Sequence, residues 1–240
     1  MSPRARVAQR QYTLDHPLFA GRTGSGVGVA VIDSGIHAGN PHVSGVGAAV
    51  HITASGESDD AVDRIGHGTA VAAAILEKAP AIDLFAVRVF DQTLATSAAV
   101  LVRAIERAVA HGCRLINLSL GTANPARADA FVVAITRAVE RGVLIVSARE
   151  LHGVAWLPGS LPGVVGVQLD AECPRAALRV GRGALHASGL PRPIPGVPRE
   201  RNVQGISFAV ANATGFLARL LETEPDVRTV TDVHAMLDTL

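Results

Sequence analysis

The stretch Val27-Gly-Val-Ala-Val-Ile-Asp33-Ser-Gly35 decides the architecture. It is apolar without alternation and turns polar only at Asp33. A short run with no polar face reads as a strand covered on both sides, the pattern of a parallel sheet. A carboxylate that closes such a run is costly to bury unless a partner compensates it. Asp33 is therefore a candidate for chemistry, with a turn or a cap as its ordinary alternative.

Working outward, residues 82–89, 114–118, 143–147 and 164–169 repeat the strand pattern. Residues 67–78, 97–111, 127–141, 207–221 and about 231–240 read as helices between and after them. In 98–110 the side chains of Val102, Ile105, Ala108 and Val109 fall on one face, and Gly112 and Gly142 stand where C-caps belong. This alternation predicts an α/β fold with a mainly parallel central sheet flanked by helices. A chain of 240 residues, 48% hydrophobic, suits one large domain. Residues 1–22 read as an N-terminal arm and 181–198 as a surface loop with short strands.

Several function classes fall away. No apolar run nears the roughly 18 residues of a membrane span. Aromatic content of 3% and a net charge of +1 speak against nucleic acid as a partner. The basic N-terminus has no apolar core of a secretory signal, so a cytoplasmic location is expected. Cys113 and Cys173 make no disulfide framework, and Cys113 reads as a packed thiol. His37, His42 and His51 match no metal spacing and read as surface-loop residues; no metal and no cofactor is expected. Gly24-Ser-Gly26-Val-Gly28 precedes a strand, whereas a dinucleotide fingerprint follows one.

Two further segments join Asp33: Gly66-His67-Gly68-Thr69 and Gly205-Ile-Ser207-Phe-Ala209. His67 and Ser207 each follow a glycine and open an apolar helix. A nucleophile, a base and an orienting acid are what covalent acyl transfer requires. Singly, His67 reads as a surface histidine and Ser207 as an N-cap.

With these flanks, the chain from Thr23 onward resembles the subtilisin-like serine proteases. The resemblance rests on 23–36, on 67–75, on two central strands at 79–89 and 115–121, on 156–167 and on 205–209. It implies a three-layer subtilisin-like fold, with 23–240 as a single catalytic domain. It implies Ser207 as nucleophile, His67 as general base and then acid, and Asp33 as the group that orients the imidazole. Ser119, Leu120 and Gly121 match the segment that pairs with an extended peptide, and Leu94, Ala95 and Thr96 would lie across that peptide. The first side-chain pocket would lie between 119–121 and 149–156.

The sequence departs from the family at the oxyanion site. Where an asparagine amide is usual, this chain offers Glu150 or, with a one-residue shift, Arg149; the backbone N–H of Ser207 remains. The link between Leu76 and Leu84 is too short for the calcium loop of secreted relatives. The expected function is a serine endopeptidase, specialised for peptide processing such as leader removal. The alternatives are a pseudoprotease that binds peptide uncut and an acyl-transfer or macrocyclising variant. The expected partner is a peptide or precursor protein, and the oligomeric state stays open.

Overall fold

The computed structural model describes residues 10–91, 93–181 and 183–238. The first nine residues of the expected arm and the last two of the expected C-terminal helix lie outside them. The strands are β1 (Arg10–Thr13), β2 (Gly28–Asp33), β3 (Ala48–Ile52), β4 (Glu57–Ser58), β5 (Asp83–Arg88), β6 (Leu115–Leu118), β7 (Leu144–Ala148), β8 (Glu150–Leu151), β9 (Val154–Ala155), β10 (Val164–Leu169), β11 (Ala177–Gly181) and β12 (Ala184–Ala187). The helices are α1 (His67–Lys78), α2 (Ala98–His111), α3 (Ala128–Glu140), α4 (Ile206–Thr223) and α5 (Val230–Asp238).

The main sheet runs β1-β11-β12-β10-β7-β6-β2-β5-β3-β4. From β12 to β3 every pairing is parallel; only the margins, β4 on β3 and β11 and β1 beyond β12, are antiparallel. β2 sits between β5 and β6, which explains its unbroken apolar run. One face packs on α1, α4 and α5 through residues such as Val71, Ile75, Phe208, Phe216 and Leu237. The other packs on α2 and α3 through Ile105, Leu101, Phe131 and Ile135. The result is three layers, the arrangement expected of alternating strands and helices.

α4 is apolar almost all round because it is buried almost all round, from Phe208 through Leu221. Residues 10–22 add β1 to the sheet margin and bury Tyr12 and Phe19. The Phe19 ring meets Phe216 of α4 edge-on at 5.1 Å.

Two expectations change. His51 is no loop residue: it is buried in β3, with Nε2 3.6 Å from Asp91 Oδ1. β3 escaped notice because Ala48-Ala-Val-His-Ile52 has two small residues and a histidine in a five-residue run. β11 likewise carries Arg179 in mid-strand, where Asp170 and Gln11 bond it.

Candidate active site

After β2 the chain builds β5 on one side of it, then crosses to build β6 on the other. The carboxyl end of β2 is therefore a topological switch point, where open parallel sheets leave a crevice. Asp33 ends β2 there and is 1% exposed. Its Oδ1 accepts hydrogen bonds from the Ser34 N–H at 2.7 Å and from His67 Nδ1 at 2.7 Å. Its Oδ2 is buried with no partner among the described residues.

His67 is the first residue of α1. Gly68 lets the helix start against the end of β2: a Cβ there would lie 2.2 Å from the Gly35 carbonyl oxygen and 3.1 Å from Asp33 Cβ. Side chains take the amides of Gly68 and Thr69 at this helix start. Asp63 accepts from the N–H groups of Ile65, Gly66 and Thr69 and from the hydroxyls of Ser34 and Thr69. Ser34 Oγ accepts from the Gly68 N–H. Asp63 joins this candidate site without a mark in the sequence beyond its place three residues before the glycine that opens α1.

Burial works against protonating His67, but the Asp33 hydrogen bond and the charges of Asp33 and Asp63 outweigh it. The imidazole is held above its ordinary 6.5. Asp63 goes the other way: burial would raise it, while the bonds from Thr69, Gly66 and Ile65 hold it below the usual carboxylate value.

Ser207 lies in the first turn of α4. Both helices open on a glycine, but no side chain takes the place at α4 that Ser34 and Asp63 take at α1. The Phe208 N–H donates to the Gly205 carbonyl at 3.1 Å, and no side chain caps the amides of Ile206 and Ser207, which lie at the positive end of the helix dipole. Ser207 Oγ donates to the Ser119 carbonyl at 3.1 Å, and Ser119 Oγ donates to the Ser207 carbonyl at 3.2 Å. Asn117 in β6 holds Ser119 Oγ at 2.8 Å and faces Thr214 of α4 at 3.0 Å. The neighbouring Phe208 ring lies 6.0 Å from the His67 ring. Asp33 and His67 are thus joined, and Ser207 stands beside them with its hydroxyl turned to Ser119 rather than to His67.

Residues 119–121 extend β6 past the sheet. Among the described residues, the backbone groups of Leu120 and Gly121 make no hydrogen bond; Thr122 then bridges to Leu157. Leu94, Ala95 and Thr96 sit in the loop before α2, with Leu94 52% exposed.

The subtilase family model matches residues 24–149, which contain Asp33 and His67. The chain belongs to the subtilase family. Subtilisin Savinase of Lederbergia lenta is 31% identical over 206 residues, covering 81% of this chain and 72% of that protein. Subtilisin E of Bacillus subtilis is 29% identical over 210 residues, so the chain covers about half (53%) of that relative's length. A solved structure of a prenylagaramide maturation protease, PagA, superposes with a TM-score of 0.65 at 27% identity, covering 83% of this chain and 77% of that one.

In this subtilase the two oxyanion candidates, Arg149 and Glu150, are both exposed. The Arg149 guanidinium donates to the Gly183 carbonyl, and its Cδ lies where Gly166 leaves room. Glu150 is exposed in the β8–β9 hairpin. Both charges are felt by His186, whose pKa burial lowers. Neither side chain bonds to Ser207 or His67. The glycine-rich turn at 24–28 is filled from within: Glu222 of α4 accepts from the N–H groups of Thr23, Gly24 and Ser25, so its own carboxylate occupies the cradle. Only residues 79–82 join α1 to β5. Burial pushes the Cys113 and Cys173 thiols up to about 11, which leaves both un-ionised near neutrality. No described helix is long and apolar enough to cross a membrane.

Proposed function

We propose that this subtilase is a serine endopeptidase that cleaves an extended peptide through an acyl-enzyme. The observation that carries the reading is the Asp33–His67 pair at 2.7 Å beside a serine at an uncapped helix start. A peptide strand laid on the free backbone of Leu120 and Gly121 brings a carbonyl to Ser207. Ser207 Oγ leaves Ser119, passes its proton to His67 Nε2 and bonds to the carbonyl carbon. Asp33 stabilises the imidazolium that forms. The backbone N–H of Ser207 donates to the developing oxyanion. His67 then gives the proton to the leaving amine, and water releases the acyl group by the same steps in reverse order.

With a backbone donor and no side-chain amide, turnover is expected to be lower than in relatives with both donors. One oxyanion donor is worth about 10²–10³ in rate, a figure measured within this family. A slow, dedicated peptidase suits precursor maturation better than bulk digestion. The likeness to a maturation protease supports that narrower reading, with a precursor peptide as substrate.

The test is digestion of a mixed peptide pool followed by mass spectrometry. Cleavage by the wild type that is abolished in Ser207→Ala supports the proposal. A second reading, peptide binding without cleavage, draws on the Ser207 hydroxyl being bonded to Ser119. It wins if peptides bind equally to both proteins and neither cuts.

A further inference from the structure

We infer that Trp156 closes the pocket beside the nucleophile, so that the residue supplying the scissile carbonyl must be small: glycine, alanine or serine. The inference rests on the reading of Ser207 as nucleophile. Ser207 Oγ is 3.1 Å from the Ser119 carbonyl oxygen. Attack needs the carbonyl carbon about 3–3.5 Å from Oγ. The acyl-side residue must therefore lie over residues 119–121, a span of about 7 Å in extended chain.

The far end of that span is shut. Thr122 and Leu157 exchange two backbone hydrogen bonds, at 2.9 and 2.8 Å. Gly121 is so tightly covered that a Cβ would lie 2.1 Å from the Leu157 carbonyl oxygen and 2.6 Å from Trp156 Nε1. The indole thus lies directly on Gly121. Trp156 also packs on the cluster that includes Phe208, Ala209 and Ala148, which puts it on the α4 side of the sheet, with the nucleophile.

The backbone that carries the wall is held on both sides, and the indole packs on the core cluster. The Trp156 backbone N–H donates to the Arg149 carbonyl at 3.0 Å, and its backbone carbonyl accepts from the Ser160 N–H at 2.9 Å. A leucine or phenylalanine side chain over 119–121 would have to displace this indole from packed neighbours. Overfilling of this kind discriminates by about 10- to 100-fold.

The test uses tripeptide aldehydes, acetyl-Ala-Ala-X-H, with X alanine or phenylalanine. Binding is read from the emission of Trp156, the only tryptophan in the chain. It is measured in wild type and in Ser207→Ala, so a ranking is obtained whether or not Ser207 reacts. The alanine compound is expected to bind at least tenfold more tightly in both. Competition against a fluorescent peptide then compares Trp156→Phe, which keeps an aromatic wall, with Trp156→Gly, which removes it. Phe is expected to retain the preference and Gly to reverse it. Equal or tighter binding of the phenylalanine compound to wild type overturns the inference, as does an unchanged ratio in a folded Trp156→Gly. Failure of wild type and Ser207→Ala to differ for the alanine compound contradicts the nucleophile reading instead, since only Ser207 can add covalently to the aldehyde.

Discussion

His67 is flanked by two carboxylates with different tasks. Asp33 bonds the ring, while Asp63 holds the backbone around it and adds charge. Asp33→Asn should leave the ring without its anionic partner, lower turnover by about 10⁴ and drop the His67 titration, seen by NMR, to a lower pH. The proposed peptidase chemistry needs neutral His67, so kcat/KM should fall as pH drops through a value above 6.5. Stability runs oppositely: a raised imidazole favours the folded state at pH below 6.5, and that contribution fades as pH rises through the folded value. The Asp33–His67 pair was legible because each is a polar residue at one end of an apolar run. Asp63 was not, because one aspartate in a polar loop acquires its five donors only when Ser34 and α1 converge on it. Nor was Trp156, since nothing local marks a tryptophan that will lie on a glycine 35 positions earlier in the chain.

At the scale of elements, α1 and α4 begin in opposite ways. At the start of α1 Ser34 and Asp63 bond the Gly68 and Thr69 amides, which serves rigidity; at the start of α4 no side chain caps the helix, which suits the proposed oxyanion. Asp63→Ala should cost about 3 kcal/mol in urea unfolding, because several buried donors lose one acceptor. Its contribution should be complete above the ordinary aspartate value of 3.8 and decline as pH falls through the lower folded value. β2, β5, β6, β7 and β10 and the long helices follow from periodicity and capping glycines. β3 and β11 do not: each is five residues long with a polar side chain inside, and each is defined by a neighbour's hydrogen bonds rather than by its own pattern.

At the scale of the molecule, one ion cluster fastens α1, α4 and the β10–β11 loop. Glu77 accepts from Arg175 and from Lys78 at 2.9 Å, and Arg219 of α4 donates to the Lys78 carbonyl. Burial would raise Glu77, but Arg175 and Lys78 bring it down to about 2. Burial lowers Lys78 to about 8 despite Glu77, and Arg175 and Arg192 add repulsion. Glu77→Gln should therefore destabilise by about 3 kcal/mol, since it strands a buried ammonium. Lys78→Met should cost less than about 1 kcal/mol or stabilise. In thermal melts the Glu77 contribution should vanish as pH falls from 4.5 towards 2, and stability should gain between pH 8 and 10.5 as the unfolded Lys78 alone keeps its proton.

The fold and the pair at the switch point support the proposal that Ser207 is the nucleophile, and fluorophosphonate labelling followed by intact mass tests that proposal most directly. One adduct is expected, on Ser207, formed faster as pH rises through a value above 6.5 and slowed by orders of magnitude in His67→Ala. A folded protein that takes no adduct at Ser207 at any pH, or labels equally fast without His67, would contradict it.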